Sequence, residues 1–191
     1  MDLEHYLRYV ASEYERAEHR PNDAYTRFCY YTLKRDLWAQ FDVLKVFARV
    51  TFTATDPYGG SREMFESLGR GSLSVYNVAD IPSDHPFAER APNGETFNTI
   101  FRAVHDGLAH YPERNSFGKL GEFKAFRAHC RLLGRDAQRA LFTETVGQNA
   151  WYHFGPLAEH GRRYFAEQKA TILPVIVFNT HERISIEGTA V

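Results

Sequence analysis

TFNTIFRAVHDGLAH, residues 96–110, is the stretch on which the fold turns. Phe97, Ile100, Phe101, Val104 and Leu108 recur at three- and four-residue spacing, the pattern of one apolar helix face. The stretch closes on two histidines five apart, His105 and His110, with Asp106 directly after the first. On a regular helix, residues four apart differ in direction by about 40° and residues five apart by about 140°. A regular helix therefore aligns Asp106 with His110 and splits the two histidines. For both imidazoles to reach one metal ion, the ion must sit near a helix end or the turn must be irregular. The zinc-protease pattern, with histidines four apart and a glutamate between them, is a different arrangement.

Downstream, Lys119 to Leu133 reads as a second helix stopped by Gly134, and Asp136 to about Trp151 as a third, broken by Gly155-Pro156. On the second helix Glu122 and His129 are seven apart and share a stripe with Ala125 and Phe126, which suits the wall of a pocket. On the third, Glu144 is flanked by apolar residues, and a buried acid needs a partner. Gln148 and Asn149 follow one turn on, and Trp151 and Tyr152 add flat surface. Imidazole and carboxylate suit iron, manganese and zinc. Arg127, Arg131, Arg135 and Arg139 recur every four residues, a cationic stripe that a helix would present to solvent or to a phosphate.

Upstream, residues 1–20 read as a helix through Leu3, Tyr6, Leu7, Val10 and Tyr14, and residues 23–47 as one or two more. Residues 50–53 and 73–76 read as short strands, separated by a turn at 56–60 and a helix through Leu68 that Ser61 can cap. Residues 79–95, with three prolines, form a loop; 157–170 read as helical and 173–178 as a buried extended run. The expectation is one mainly α (α+β) domain over 1–191. It has an N-terminal part, 1–95, with helices and a small strand pair, a ligand-bearing helical core over 96–174, and a tail at 175–191.

At 191 residues with 43% hydrophobic and 25% charged content, the chain can bury an ordinary core. Its net charge of −1 offers no global field for nucleic acid. Two cysteines, Cys29 and Cys130, do not make a disulfide framework. No apolar run approaches membrane-spanning length, and residues 1–5 carry acids in place of a basic-then-apolar signal, so the expected location is the cytoplasm.

The run 105–110 followed by Phe142-Thr143-Glu144 resembles the iron site of the pterin-dependent aromatic amino acid hydroxylases. There, a His-Glu-x-x-Gly-His type motif and a later glutamate hold a non-haem iron; Asp106 and Ala109 stand where that family has Glu and Gly. Phe117 to Phe126 also looks like the helix between those ligands. The resemblance implies His105, His110 and Glu144 as metal ligands, with pterin as a conceivable cosubstrate. Over residues 36–174 the chain is also similar to a domain of phage and prophage proteins, through 101–106, Gly121-Glu122, 143–151 and 165–170. That likeness implies a host cytoplasm and no particular activity.

The resulting expectation is an Fe(II) oxygenase that hydroxylates an aromatic or heteroaromatic small molecule, a nucleotide or base included. Asp106, Glu122 and His129 are its candidate catalytic or proton-transfer groups. Phe126, Arg127, Gln148, Asn149 and Trp151 are its candidate substrate contacts. Two alternatives stay open: a zinc or manganese hydrolase with Glu122 as general base, and a metal-free nucleic-acid-binding or DNA-modifying module.

Overall fold

A computed structural model describes residues 2–77, 81–156, 158, 161 and 166–174. Seven helices and two strands follow in the order α1 (Leu3–Arg16), α2 (Ala24–Phe47), β1 (Arg49–Thr53), α3 (Ser61–Gly69), β2 (Ser72–Tyr76), α4 (Phe97–His105), α5 (Lys119–Cys130), α6 (Arg135–Phe142) and α7 (Gln148–Phe154) among the described residues. The class is mainly α with a small N-terminal strand pair. The strands are parallel, Arg49 facing Ser72 and Thr53 facing Tyr76, with α3 as the crossover between them. None of the described helices is long and apolar enough to cross a membrane.

α2 is the axis of the molecule. Thr26, Cys29, Tyr30, Leu33, Leu37, Phe41 and Leu44 are all buried along it, at the spacing that gives a helix one inward stripe. α6 and α4 pack on that stripe, while α1 packs on α7. Asp23 starts α2 by accepting the Thr26 N–H at 2.8 Å, and one continuous helix then runs to Phe47. Ser61 is the first residue of α3 and not its cap: Gly60 holds the cap position, without a side-chain hydrogen bond.

The largest departures from regular geometry are two π-helical turns. Asp106–His110 continues α4, and Thr143–Gly147 joins α6 to α7. In the first, the Tyr111 N–H reaches back five residues to the Asp106 carbonyl at 3.1 Å. Such widened turns are rare and concentrate at functional sites. α5 stops at Cys130, so Arg127 and Arg131 do not share a helix with Arg135 and Arg139, and the expected cationic stripe is broken. Residues 166–170 carry no helix, which removes the end of the helix expected at 157–170. Leu173 is buried as expected, whereas 175–178 lie outside the described residues.

Candidate metal centre

The π turn resolves the angular conflict between the histidines. Widening the turn to an i→i+5 repeat brings residues five apart onto one side. The His105 and His110 rings meet edge to face with centroids 4.8 Å apart. Gly107 makes this turn possible against α2, since a Cβ there would lie 2.5 Å from Leu44 Cδ1.

The carboxylate beside the two rings is Glu122. One oxygen lies 3.6 Å from His105 Nε2 and the other 3.3 Å from His110 Nε2. Donor atoms of His105, His110 and Glu122 all lie within 4.8 Å of one another, the one such group of three or more among the described residues. A cation bonded at about 2.1 Å to each of two ligands sets them roughly 3.0–3.4 Å apart at angles of about 90–109°. The observed separations sit beside that range.

Hydrogen bonds on the far side of each ring decide what faces Glu122. His110 Nδ1 is 2.9 Å from the Asn115 carbonyl, which can only accept, so Nδ1 carries the proton and Nε2 presents a lone pair. For His105 the logic runs through two more residues. The Gln40 side-chain N–H donates to the Leu132 carbonyl at 3.2 Å, which turns Gln40 Oε1 toward His129 Nε2, 2.8 Å away. His129 therefore donates from Nε2 and accepts at Nδ1. The group 3.1 Å from that Nδ1 is His105 Nδ1, which must then be the donor. His105 Nε2 is left bare, buried and without a hydrogen-bond partner. His105 Nε2 thus faces the carboxylate without a partner, while Glu122 favours a proton on the His110 ring, and a cation would take that proton's place.

The charges of the three groups are tightly linked. Burial would raise Glu122, but hydrogen bonding and proximity to His105 and His110 hold its carboxyl down at about 2. Burial lowers His105, partly offset by Glu122, and lowers His129 far below its ordinary value. His110 moves up, because Glu122 outweighs the effect of burial. Burial pushes Asp106 up to about 6; its charge is felt at His110, but it is not one of the three converging groups.

Glu122 is positioned by a close backbone approach. A Cβ on Gly121 would lie 1.9 Å from the Ser116 carbonyl oxygen, so α5 starts directly against the loop that carries Asn115. That loop is clamped to the π turn by the Asn115 N–H to the His110 carbonyl, 2.9 Å, and the Asn115 side chain to the Ala109 carbonyl, 3.1 Å. Gly121→Ala is expected to displace the loop, costing about 2 kcal/mol or more of stability and about tenfold in metal affinity. Thermal melting and metal titration of the variant check this; wild-type values in both contradict the role given to Gly121.

The structure places Glu144 elsewhere. Its carboxylate accepts from the Tyr30 hydroxyl, from Gln148 Nε2 at 2.8 Å and from Gln168 Nε2 at 3.0 Å, and His85 Nε2 lies 3.2 Å away. The Phe87 N–H occupies His85 Nδ1, so His85 turns an N–H toward this carboxylate. With three hydrogen-bond donors and His85 around it, Glu144 lies outside the His105–His110 group, where Glu122 is the carboxylate present. His129 orients His105 from behind.

The expected substrate contacts scatter. Phe126 is buried against Phe123 and Phe142 and belongs to the core, not to a pocket wall. Gln148 serves Glu144, and the Trp151 indole N–H donates to Glu15. Arg127 and Asn149 are half-buried. The exposed aromatic ring at the centre is Phe117, edge to face with His110 at 5.1 Å. Sequence reading missed Gln40, Asn115, His85, Tyr30 and Gln168, ordinary polar residues of which all but Asn115 are distant in sequence from the groups they hold. The chain matches no family model, no curated protein and no solved structure.

Proposed function

We propose that this chain is an Fe(II)-dependent oxygenase whose metal is held by His105, His110 and Glu122. The observation that carries the reading is the convergence of two Nε2 atoms on a carboxylate, with Nδ1 of each ring engaged by a hydrogen bond on the opposite side. Two histidines and one carboxylate with open positions form the donor set of non-haem iron oxygenases. Iron, when bound, would supply dioxygen activation. The chain's own part is to aim both Nε2 atoms at one point, to keep Glu122 ionised, and to limit water at a centre where His105 and His110 are buried. Phe117, exposed and packed on His110, offers a stacking face for an aromatic or heteroaromatic substrate, nucleobases included.

The same donor set also serves zinc hydrolases, where a fourth position holds water, and this is the second reading. Elemental analysis of protein purified without chelator, with oxygen uptake measured across a panel of aromatic compounds, separates the two. Iron with uptake supports the oxygenase; zinc without uptake overturns it.

Metal binding must also depend on pH in a stated direction. The ligands bind deprotonated, and His110 is the one whose proton is held more tightly than usual. Affinity is therefore lost as pH falls through the raised His110 value and is complete above it. The melting-temperature increase given by added Fe(II), measured anaerobically, should be larger at about pH 8 than at about pH 6. A shift that is equal at both values, or larger at the lower one, contradicts this linkage.

A further inference from the structure

Of nine large hydrophobic side chains exposed among the described residues, six lie on α2: Tyr25, Phe28, Tyr31, Val43, Val46 and Phe47. The outermost stripe of this helix runs Phe28, Tyr31, Arg35, Ala39, Asp42 and Val46, at three- and four-residue spacing, and every one of these positions is exposed. That is the seam pattern of a helix packed against another helix, yet no element of the described fold covers it.

We propose that this face is the interface of a two-fold antiparallel dimer of the chain, with Arg35 of one copy against Asp42 of the other. The occupant follows from the order of residues along the stripe. Arg35 and Asp42 are its charged positions, opposite in sign and seven residues apart. A parallel pair would set Arg35 on Arg35 and Asp42 on Asp42. An antiparallel pair centred between Trp38 and Ala39 sets Arg35 against Asp42 twice, because a two-fold interface repeats every contact. The same register places Tyr31 against Val46 on both sides. It also puts Ala39, the smallest side chain of the stripe, at the crossing, where two helices approach most closely.

Among the described residues both charged groups make local pairs, Arg35 with Asp36 at 2.7 Å and Asp42 with Lys45 at 2.8 Å. Such pairs are weak and easily exchanged for a partner across an interface. A nucleic acid is a poorer occupant, since it would set phosphate against Asp42 and against the apolar Val46.

Sedimentation velocity of the full chain over a concentration series tests the proposal. Wild type is expected to shift from monomer to dimer. Arg35→Asp and Asp42→Arg, each placing like charges opposite, should weaken the dimer at least about tenfold. The double variant R35D/D42R should restore it, with circular dichroism and melting of all variants matching wild type. A wild type that stays monomeric at every concentration, or a double variant no better than the single ones, overturns the proposal.

Discussion

Glu122→Ala is expected to lose at least about 100-fold in affinity for Fe(II) while keeping its fold. The variant keeps both imidazoles, and their outer hydrogen bonds to Asn115 and His129 do not involve Glu122. What it loses is the anion on which both Nε2 atoms converge and the charge that offsets the cation. Glu122→Gln, which keeps the volume and removes the charge, should behave alike. Anaerobic Fe(II) titration checks the affinity and circular dichroism checks the fold. Wild-type affinity in both variants contradicts the ligand set.

Glu144→Ala is expected to do the reverse. It should cost about 3–5 kcal/mol and lower Tm by roughly 10 °C, with Fe(II) affinity near wild type below the melting range. The loss comes from stranding donors in the core: the Tyr30 hydroxyl, the Gln148 and Gln168 amides and the His85 N–H all converge on this carboxylate. These groups come from α2, from the loop before α4, from α7 and from the segment after it, so removing one side chain loosens four parts of the fold. Thermal melting measures the first effect and metal titration the second. A Glu144→Ala variant that melts like wild type but binds no metal would return the ligand role to Glu144.

Part of this arrangement was legible in the sequence and part was not. Helices α1, α2 and α4 to α7 follow from apolar periodicity, because burial on one face writes a 3.6-residue pattern that Leu33, Leu37, Phe41 and Leu44 display plainly. The strand pair followed from short β-branched runs. The five-residue spacing of His105 and His110 left two ways for both rings to meet, at a helix end or through an irregular turn, and the π turn at Asp106–His110 is the second. Its twin at Thr143–Gly147 left no comparable mark, because no pair of chemically distinctive residues straddles it.

The choice between Glu122 and Glu144 was beyond the sequence for a physical reason. Both are acids on helices with apolar neighbours, and what separates them is the company each keeps in space. Glu144 is hydrogen-bonded by donors as far away as Tyr30, 114 residues distant in sequence, and Glu122 faces the rings of His105 and His110. Likewise Gln40, 89 residues before His129, orients His129 and through it His105, and nothing in its own neighbourhood marks it.

The most direct test of the central claim is anomalous diffraction at the iron edge from crystals of the wild-type chain grown anaerobically with Fe(II). The account predicts one peak per chain, within bonding distance of His105 Nε2, His110 Nε2 and a Glu122 oxygen. A peak beside Glu144 and His85, or no peak at the His105–His110–Glu122 site, contradicts it.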